Sequence, residues 1–131
     1  MVAVKTVPDA SMDAALALED DADTLRVCSD LPANPTHAQC VTATLASVSM
    51  TPGTGNGDYV IADGDTSGRK LRVLAQSGVS VSASGTATQV ALTLTAGTLV
   101  KLVTTCTSQV LTSGNTVNVP EWKHEIADVT P

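Results

Sequence analysis

The chain reads as an all-β protein, an antiparallel β-sandwich of Ig-like or jelly-roll-like type with a short N-terminal arm and helix, and three observations predict it. From Gly68 to Ile126 short segments alternate in hydrophobicity, as in Val79, Val81 and Ala83 and again in Val90, Leu92 and Leu94, which is the period of a half-buried strand. Ser, Thr, Gly and Asn separate these segments at intervals of about 8–12 residues, the spacing of strands joined by tight turns. Thr supplies 19 of the 131 residues, a β-branched type suited to a pleated, partly wet surface. No internal repeat or linker splits the chain: residues 1–22 form the arm and helix, and residues 23–131 the β-domain.

Each element has its own signal. Pro8-Asp9-Ala-Ser11 offers an N-cap and Asp13 lies in the first turn, where the helix dipole favours an acid, so a helix is expected over about residues 10–20. Met12, Ala15, Leu16 and Ala22 share one face, widened by Leu18, and this stripe is expected to pack on the sheet or on a neighbouring subunit. The acidic run Glu19-Asp-Asp-Ala-Asp23 opposes the dipole at the helix end and stops it; it reads either as a solvated, solubilising face or as an arm that docks on a basic partner. Thr24 to Ser29 is the first strand, ended by Pro32 and Pro35, which exclude a regular ladder. Gln39 to Met50 reads as a second, long strand. Its alternation places Val41, Ala43 and Leu45 on one side and then slips to Ala46, Val48 and Met50, the mark of a bulge or of a strand crossing between sheets.

Thr51 to Gly57 is a loop by its Gly and Pro content. A short strand over 58–62 and a turn over 63–68 follow. Further strands are expected over 69–76, 79–84, 87–95, 98–106 and 115–119, with hairpin turns at Ala96-Gly97 and Ser113-Gly114-Asn115. Glu121 to Ile126 returns as a last strand, with Trp122 near the sheet edge.

Composition narrows the function. Aromatic residues make up 2% of the chain and Phe is missing, which argues against a sugar-binding platform or a single-strand nucleic-acid groove, since both rely on exposed rings. The formal net charge is −6, and residues 1–30 hold seven acids against Lys5 and Arg26; an acidic chain is repelled by nucleic acid and by anionic membranes. Met1 to Pro8 lacks a basic start followed by an apolar core, and no stretch approaches the roughly 18–20 apolar residues of a membrane span, so synthesis and folding in the cytoplasm are expected. Cys28, Cys40 and Cys106, at unrelated spacings, read as buried reduced thiols rather than a disulfide framework, with one bridge open in an oxidising medium.

Motifs that could carry chemistry stop short. Asp63-Gly-Asp65-Thr-Ser67-Gly68 opens like a calcium loop, but Leu74 stands where the closing Glu belongs and no helix flanks it. Gly53-Thr-Gly-Asn-Gly57 lacks the helix and the Lys of a phosphate cradle. Arg69, Lys70 and Arg72 form the one basic cluster, with Arg69 on the opposite strand face from the other two; edge protection or a pairing with an acidic arm of the next subunit would each use them. His37 and His124 have no second ligand at a metal spacing, no Gly-x-Ser-x-Gly elbow occurs, and Cys106 sits in a strand pattern as a small hydrophobe. No catalytic residue, metal site or cofactor is therefore expected. The residues expected to bind a partner are Met12, Ala15, Leu16 and Trp122.

At Asp63-Gly-Asp-Thr-Ser-Gly-Arg-Lys70, Gly85-Thr-Ala-Thr-Gln-Val-Ala-Leu92, Val103-Thr-Thr-Cys-Thr-Ser108 and Leu111-Thr-Ser-Gly-Asn-Thr-Val-Asn-Val-Pro120 the sequence resembles small β-sandwich virion structural proteins of tailed bacteriophages. The likeness extends over about residues 24–128 and consists of strand and turn words, not an active-site signature. It implies a non-catalytic component of the particle made in the host cytoplasm, with capsid decoration or cement as the foremost role. The major capsid protein or other virion proteins would be its partners, and the working form a homo-oligomer, a trimer being one form. The same resemblance accommodates a tail or head–tail adaptor protein and a receptor-binding tail module; the last calls for exposed aromatic rings or a liganded metal at loop tips, for which only Tyr59, Trp122 and the Asp63 loop are available.

Overall fold

The computed structural model describes residues 7–128. The first helix, α1 (Asp9–Glu19), starts directly after Pro8, whose carbonyl accepts from Ser11 N and Met12 N at 2.9 and 3.3 Å. No side chain caps it; the extended backbone of Pro8 and the acid Asp9 in the first turn set the start. Met12 and Leu16, four residues apart and so on one face, are buried, whereas Ala15 and Leu18 point to solvent.

Strands dominate the rest, and every named pair is antiparallel, so the fold is all-β and sandwich-like with a short N-terminal helix. One layer is a four-stranded sheet in the order β2-β1-β6-β7, built from β1 (Thr24–Cys28), β2 (Thr44–Ser49), β6 (Gly85–Leu94) and β7 (Leu99–Leu111). Facing it are a three-stranded sheet, β3 (Tyr59–Asp63), β4 (Arg69–Val73) and β9 (Trp122–Ile126) in the order β3-β4-β9, and a ribbon of β5 (Gln76–Ser80) with β8 (Thr116–Val119). The core between the layers is aliphatic: Leu25, Val27, Val90 and Leu92 meet Leu71, Val73, Val79, Val117 and Val119, with Tyr59 the one fully buried ring. Leu16 and Ala22 belong to this same core, so the helix and its exit are parts of the sandwich. Each fully buried Leu contributes about 1.5–3 kcal/mol.

The structure corrects the second strand. Residues 37–42 form a helix, α2 (His37–Thr42), and only Thr44–Ser49 is strand. A capping box decides this: Thr36 Oγ1 accepts from Gln39 N at 3.2 Å, and Gln39 Oε1 accepts from Thr36 N at 2.9 Å, so the helix start supplies its own hydrogen bonds and outcompetes an extended ladder. Cys40 then drops onto the outer face of the four-stranded sheet against Cys28 and Ala91, forming a second, small core. The register slip in the sequence is a bulge: Val27 pairs with Ala46 and Cys28 with Thr44, leaving Leu45 as the extra residue, and Leu45 and Ala46 are both buried.

Three further boundaries move. The strand expected over 69–76 ends at Val73, and the next begins at Gln76 and ends at Ser80, beyond which Val81 makes a single bridge to Ala46. The strand expected to stop near 106 continues to Leu111. It does so by bulging twice: Lys101 is extra between the Leu92–Leu102 and Thr93–Val100 pairs, and the Ala87–Gln109 and Gln89–Thr105 pairs leave Cys106, Thr107 and Ser108 opposite Thr88 alone.

Candidate interaction surface

The residues expected to bind a partner do not form one surface. Met12 and Leu16 are 2% and 0% exposed, because α1 lies on β4 and β7 of its own chain. Ala15, at the flank of that buried face, is exposed, and Trp122 is half-buried on the edge strand β9, packed against the core. Among the described residues the Trp122 Nε1 finds no acceptor. Ala15 and Leu18 of the apolar stripe face solvent, while Met12, Leu16 and Ala22 are thus spent inside the molecule.

The acidic run is spent there as well, which corrects its reading as a solvated face. Asp20 is 3% exposed; its main-chain carbonyl accepts from Gly53 N at 3.0 Å, and burial, reinforced by the charge of Asp21, raises its carboxyl above the usual range. Ala22 O accepts from the Tyr59 hydroxyl at 2.9 Å, and burial likewise pushes the Tyr59 phenol up. Asp23 Oδ1 accepts from Thr95 N at 3.0 Å and from Thr24 Oγ1 at 2.9 Å; these bonds, that from Thr95 foremost, hold its carboxyl below the usual value. Glu19 Oε2 lies 2.7 Å from His124 Nδ1 on β9. Residues 19–23 therefore tie helix, loop and both sheets together.

The basic cluster closes on the same half of the molecule. Arg69 reaches Asp13 of α1 at 2.7 Å and Asp63 at 2.6 Å; these bonds raise its pKa further, with Asp13 the larger cause. Lys70 pairs with Asp65 at 2.6 Å, Lys123 with Asp65 and with Glu125, and Arg72 with Glu121 at 2.7 Å. The acidic arm that Arg69 meets is its own chain's. The two carboxylates of the calcium-like loop, Asp63 and Asp65, face Arg69, Lys70 and Lys123, and no group of three His, Cys, Asp or Glu able to hold a metal occurs among the described residues. Exposed ion pairs of this kind add little stability each, but they leave the sheet's charges internally matched.

The opposite end of the molecule has a different chemistry. Residues 73–120 carry one charged side chain, Lys101, and the fold gathers most of them together. Ser113 N donates to Ser84 Oγ at 2.9 Å and Gly114 N to Val81 O at 3.0 Å, joining the β7–β8 turn to the segment between β5 and β6. Here β6 and β7 run past β1, whose pairing with β6 stops at Gln89. Thr105 to Val110 are all exposed, Val110 at 76%. Beneath them a cavity of about 220 Å³ opens between β7 and β8, with Val27, Ala87, Val90, Leu111, Val117 and Val119 in its wall. Cys106, expected to be buried, is exposed at its edge, and the partial desolvation there raises its thiol pKa. The polar residues lining this cavity are hydroxyls, amides and that thiol; no acid or imidazole lines it.

The other two cysteines lie in the small outer core. Cys28 and Cys40 are buried and unbridged, with Cys28 Sγ 3.8 Å from Cys40 O; burial, and then the neighbouring Cys40, pushes the Cys28 thiol up to about 11. A thiol so shifted stays protonated at neutral pH and is a poor nucleophile. His37 begins α2, and its Nε2 has no partner among the described residues.

No family model, no curated protein and no solved structure matches the chain. The surface at the uncharged end was not read from the sequence. The signal that could have found it is the run from Val73 to Pro120, in which Lys101 is the one charged residue.

Proposed function

We propose that the chain is a non-catalytic structural protein of a tailed-bacteriophage particle, a capsid decoration protein that settles on the outside of the finished head shell and strengthens it. In this role its partners are the major capsid protein and other virion proteins, it works as a homo-oligomer, and it resides in the virion after synthesis in the host cytoplasm. The observation that carries the reading is the uncharged end, where a strand of ordinary β composition keeps Thr105 to Val110 exposed above an apolar cavity. Such surface gains free energy when a neighbour covers it, and an assembly protein has that neighbour. The sequence likeness to small virion proteins supports the same reading, as do thiols that burial keeps protonated and carboxylates matched by cations. Fold alone would not support it, because sandwiches host many functions.

The test is a particle lacking the protein. Heads are expected to assemble but to lose their contents at lower temperature than complete particles, and purified protein added back should restore the resistance. Robust particles that fail to adsorb to cells would replace this reading with the receptor-binding one. Filled heads without tails would replace it with a head–tail adaptor.

A further inference from the structure

We infer that the uncharged end is a contact between two copies of this chain, meeting about a two-fold axis through the exposed stretch Thr105–Val110 and the neighbouring β8. The inference rests on the assembly reading above and names the surface used for self-association. Three properties of this end select a second copy as the occupant.

The first is charge. The chain carries a formal net charge of −6, so two copies repel wherever acids face acids. The β5–β8 ribbon, the β7–β8 turn and the far half of the β6–β7 hairpin contain no charged side chain of their own; the acids that reach them are Asp30, which accepts from Thr88 Oγ1 at 2.7 Å, and Asp58, which accepts from Gln76 Nε2 at 2.9 Å, so two copies meet fewer opposing acids here than on the acid-rich half. A strongly charged partner would be recognised by complementary charges, which this end does not supply.

The second is the kind of polar group. Thr105, Thr107, Ser108, Gln109, Thr116 and Asn118 are exposed, and hydroxyls and amides donate and accept hydrogen bonds, unlike carboxylates and ammonium groups. A surface of this composition is complementary to itself, which a two-fold contact requires because it brings the same patch from both sides. Depletion of charge is also the compositional mark of an interface centre.

The third is the apolar content at the same place. Val110 is the most exposed of the large hydrophobic residues among the described ones, and the cavity beneath β7 has a wall of Val, Leu and Ala. The bulge at Cys106-Thr107-Ser108 breaks the outer edge of β7, which disfavours a continuous sheet across copies; the contact is made by side chains of this end.

The experiment is light scattering and sedimentation of the purified full-length chain across a wide concentration range, beside Val110→Lys and, as a second variant, Val110→Asp. The native chain should show about twice the monomer mass at high concentration, and each variant should dissociate at least about tenfold more readily, as for a central interface position. Because Val110 is exposed, both variants should keep the native melting curve at low concentration. Raising salt should preserve or strengthen the dimer, since screening weakens the repulsion between −6 chains. A chain that stays monomeric at all concentrations, an oligomer of odd order, a dimer indifferent to Val110, or one dissolved by salt overturns the inference. The measurement uses no particles, so its failure and a failure of the particle test are read separately.

Discussion

The half of the molecule built from α1, β3, β4 and β9 and the end built from β5, β8 and the far part of the β6–β7 hairpin handle polarity in opposite ways. In the first, Arg69, Lys70, Arg72 and Lys123 each meet a carboxylate of the same chain, and His124 meets Glu19. In the second there is no charge to match, yet polar side chains and Val110 are left open. A charged surface that satisfies itself has little to offer a neighbour, whereas an uncharged one with exposed hydroxyls, amides and Val110 does. The difference separates the part of the chain that secures its own fold from the part that is free to assemble.

The strongest way to break that comparison is to truncate one buried and one exposed apolar residue. Leu16→Ala removes a side chain that is 0% exposed from the main core and is expected to lower stability by about 2–5 kcal/mol. Val110→Ala, on the open end, is expected to stay within about 0.5 kcal/mol in dilute protein. Urea unfolding followed by circular dichroism measures both. Equal losses would show that the open end is as deeply built into the fold as the helix. The same logic makes removal of residues 1–22 unfavourable to the β-domain, because Leu16 and Ala22 leave the core with it; the truncated chain is expected to lose its cooperative melt.

A smaller effect sharpens the picture of the closed half. Tyr59→Phe keeps the ring in the core and deletes only the hydroxyl that donates to Ala22 O at 2.9 Å. The carbonyl at the exit of α1 is left short of a partner, and the expected loss is about 1–2 kcal/mol. A variant as stable as the native chain would mean that the helix exit is held without this bond.

These residues also show what could be read from the sequence. The alternation of Val79 with Val81 and of Val90 with Leu92 revealed the sandwich, because a strand with one face in the core must alternate. The slip at Leu45–Ala46 pointed, for the same reason, to a bulge or a strand crossing between sheets, and the pairing with β1 makes it a bulge. The helix at His37–Thr42 escaped because six residues are too few for a helical period, and its signal was the Thr36–Gln39 box. The reading of Met12 and Leu16 as partner contacts failed for a different reason. Met12 and Leu16 were correctly placed on one face, but periodicity states only that a face is apolar; whether the chain's own sheet or another molecule covers it depends on topology, here the position of β4 and β7. Likewise, Asp23 looked like a solvent charge because its partner Thr95 lies 72 residues away, and Asp20 because the segment held to its main-chain carbonyl by Gly53 N lies 33 residues away.

The finest distinction lies at the junction of helix and sandwich, where two nearby carboxylates should respond to acid in opposite directions. Asp23 is held below the ordinary value near 3.8 by its bonds from Thr95 and Thr24. Its contribution to stability is therefore complete above that value and is lost as pH falls through the lowered one. Asp20 is raised above 3.8 by burial and by Asp21; the folded state binds its proton more readily than the unfolded chain, so its contribution is favourable at low pH and declines as pH rises through the raised value. Asp23→Asn should reduce stability at neutral pH and flatten the fall of melting temperature in acid. Asp20→Asn should do the reverse, removing the penalty of a buried charge near neutrality and leaving a steeper acid limb. The Asp23 effect is modest, since this residue is only half-buried and solvent screens its bonds. Melting temperatures of the two variants and the native chain from about pH 2.5 to 7 would show the opposed slopes; parallel curves would mean that neither carboxylate is tied to the junction.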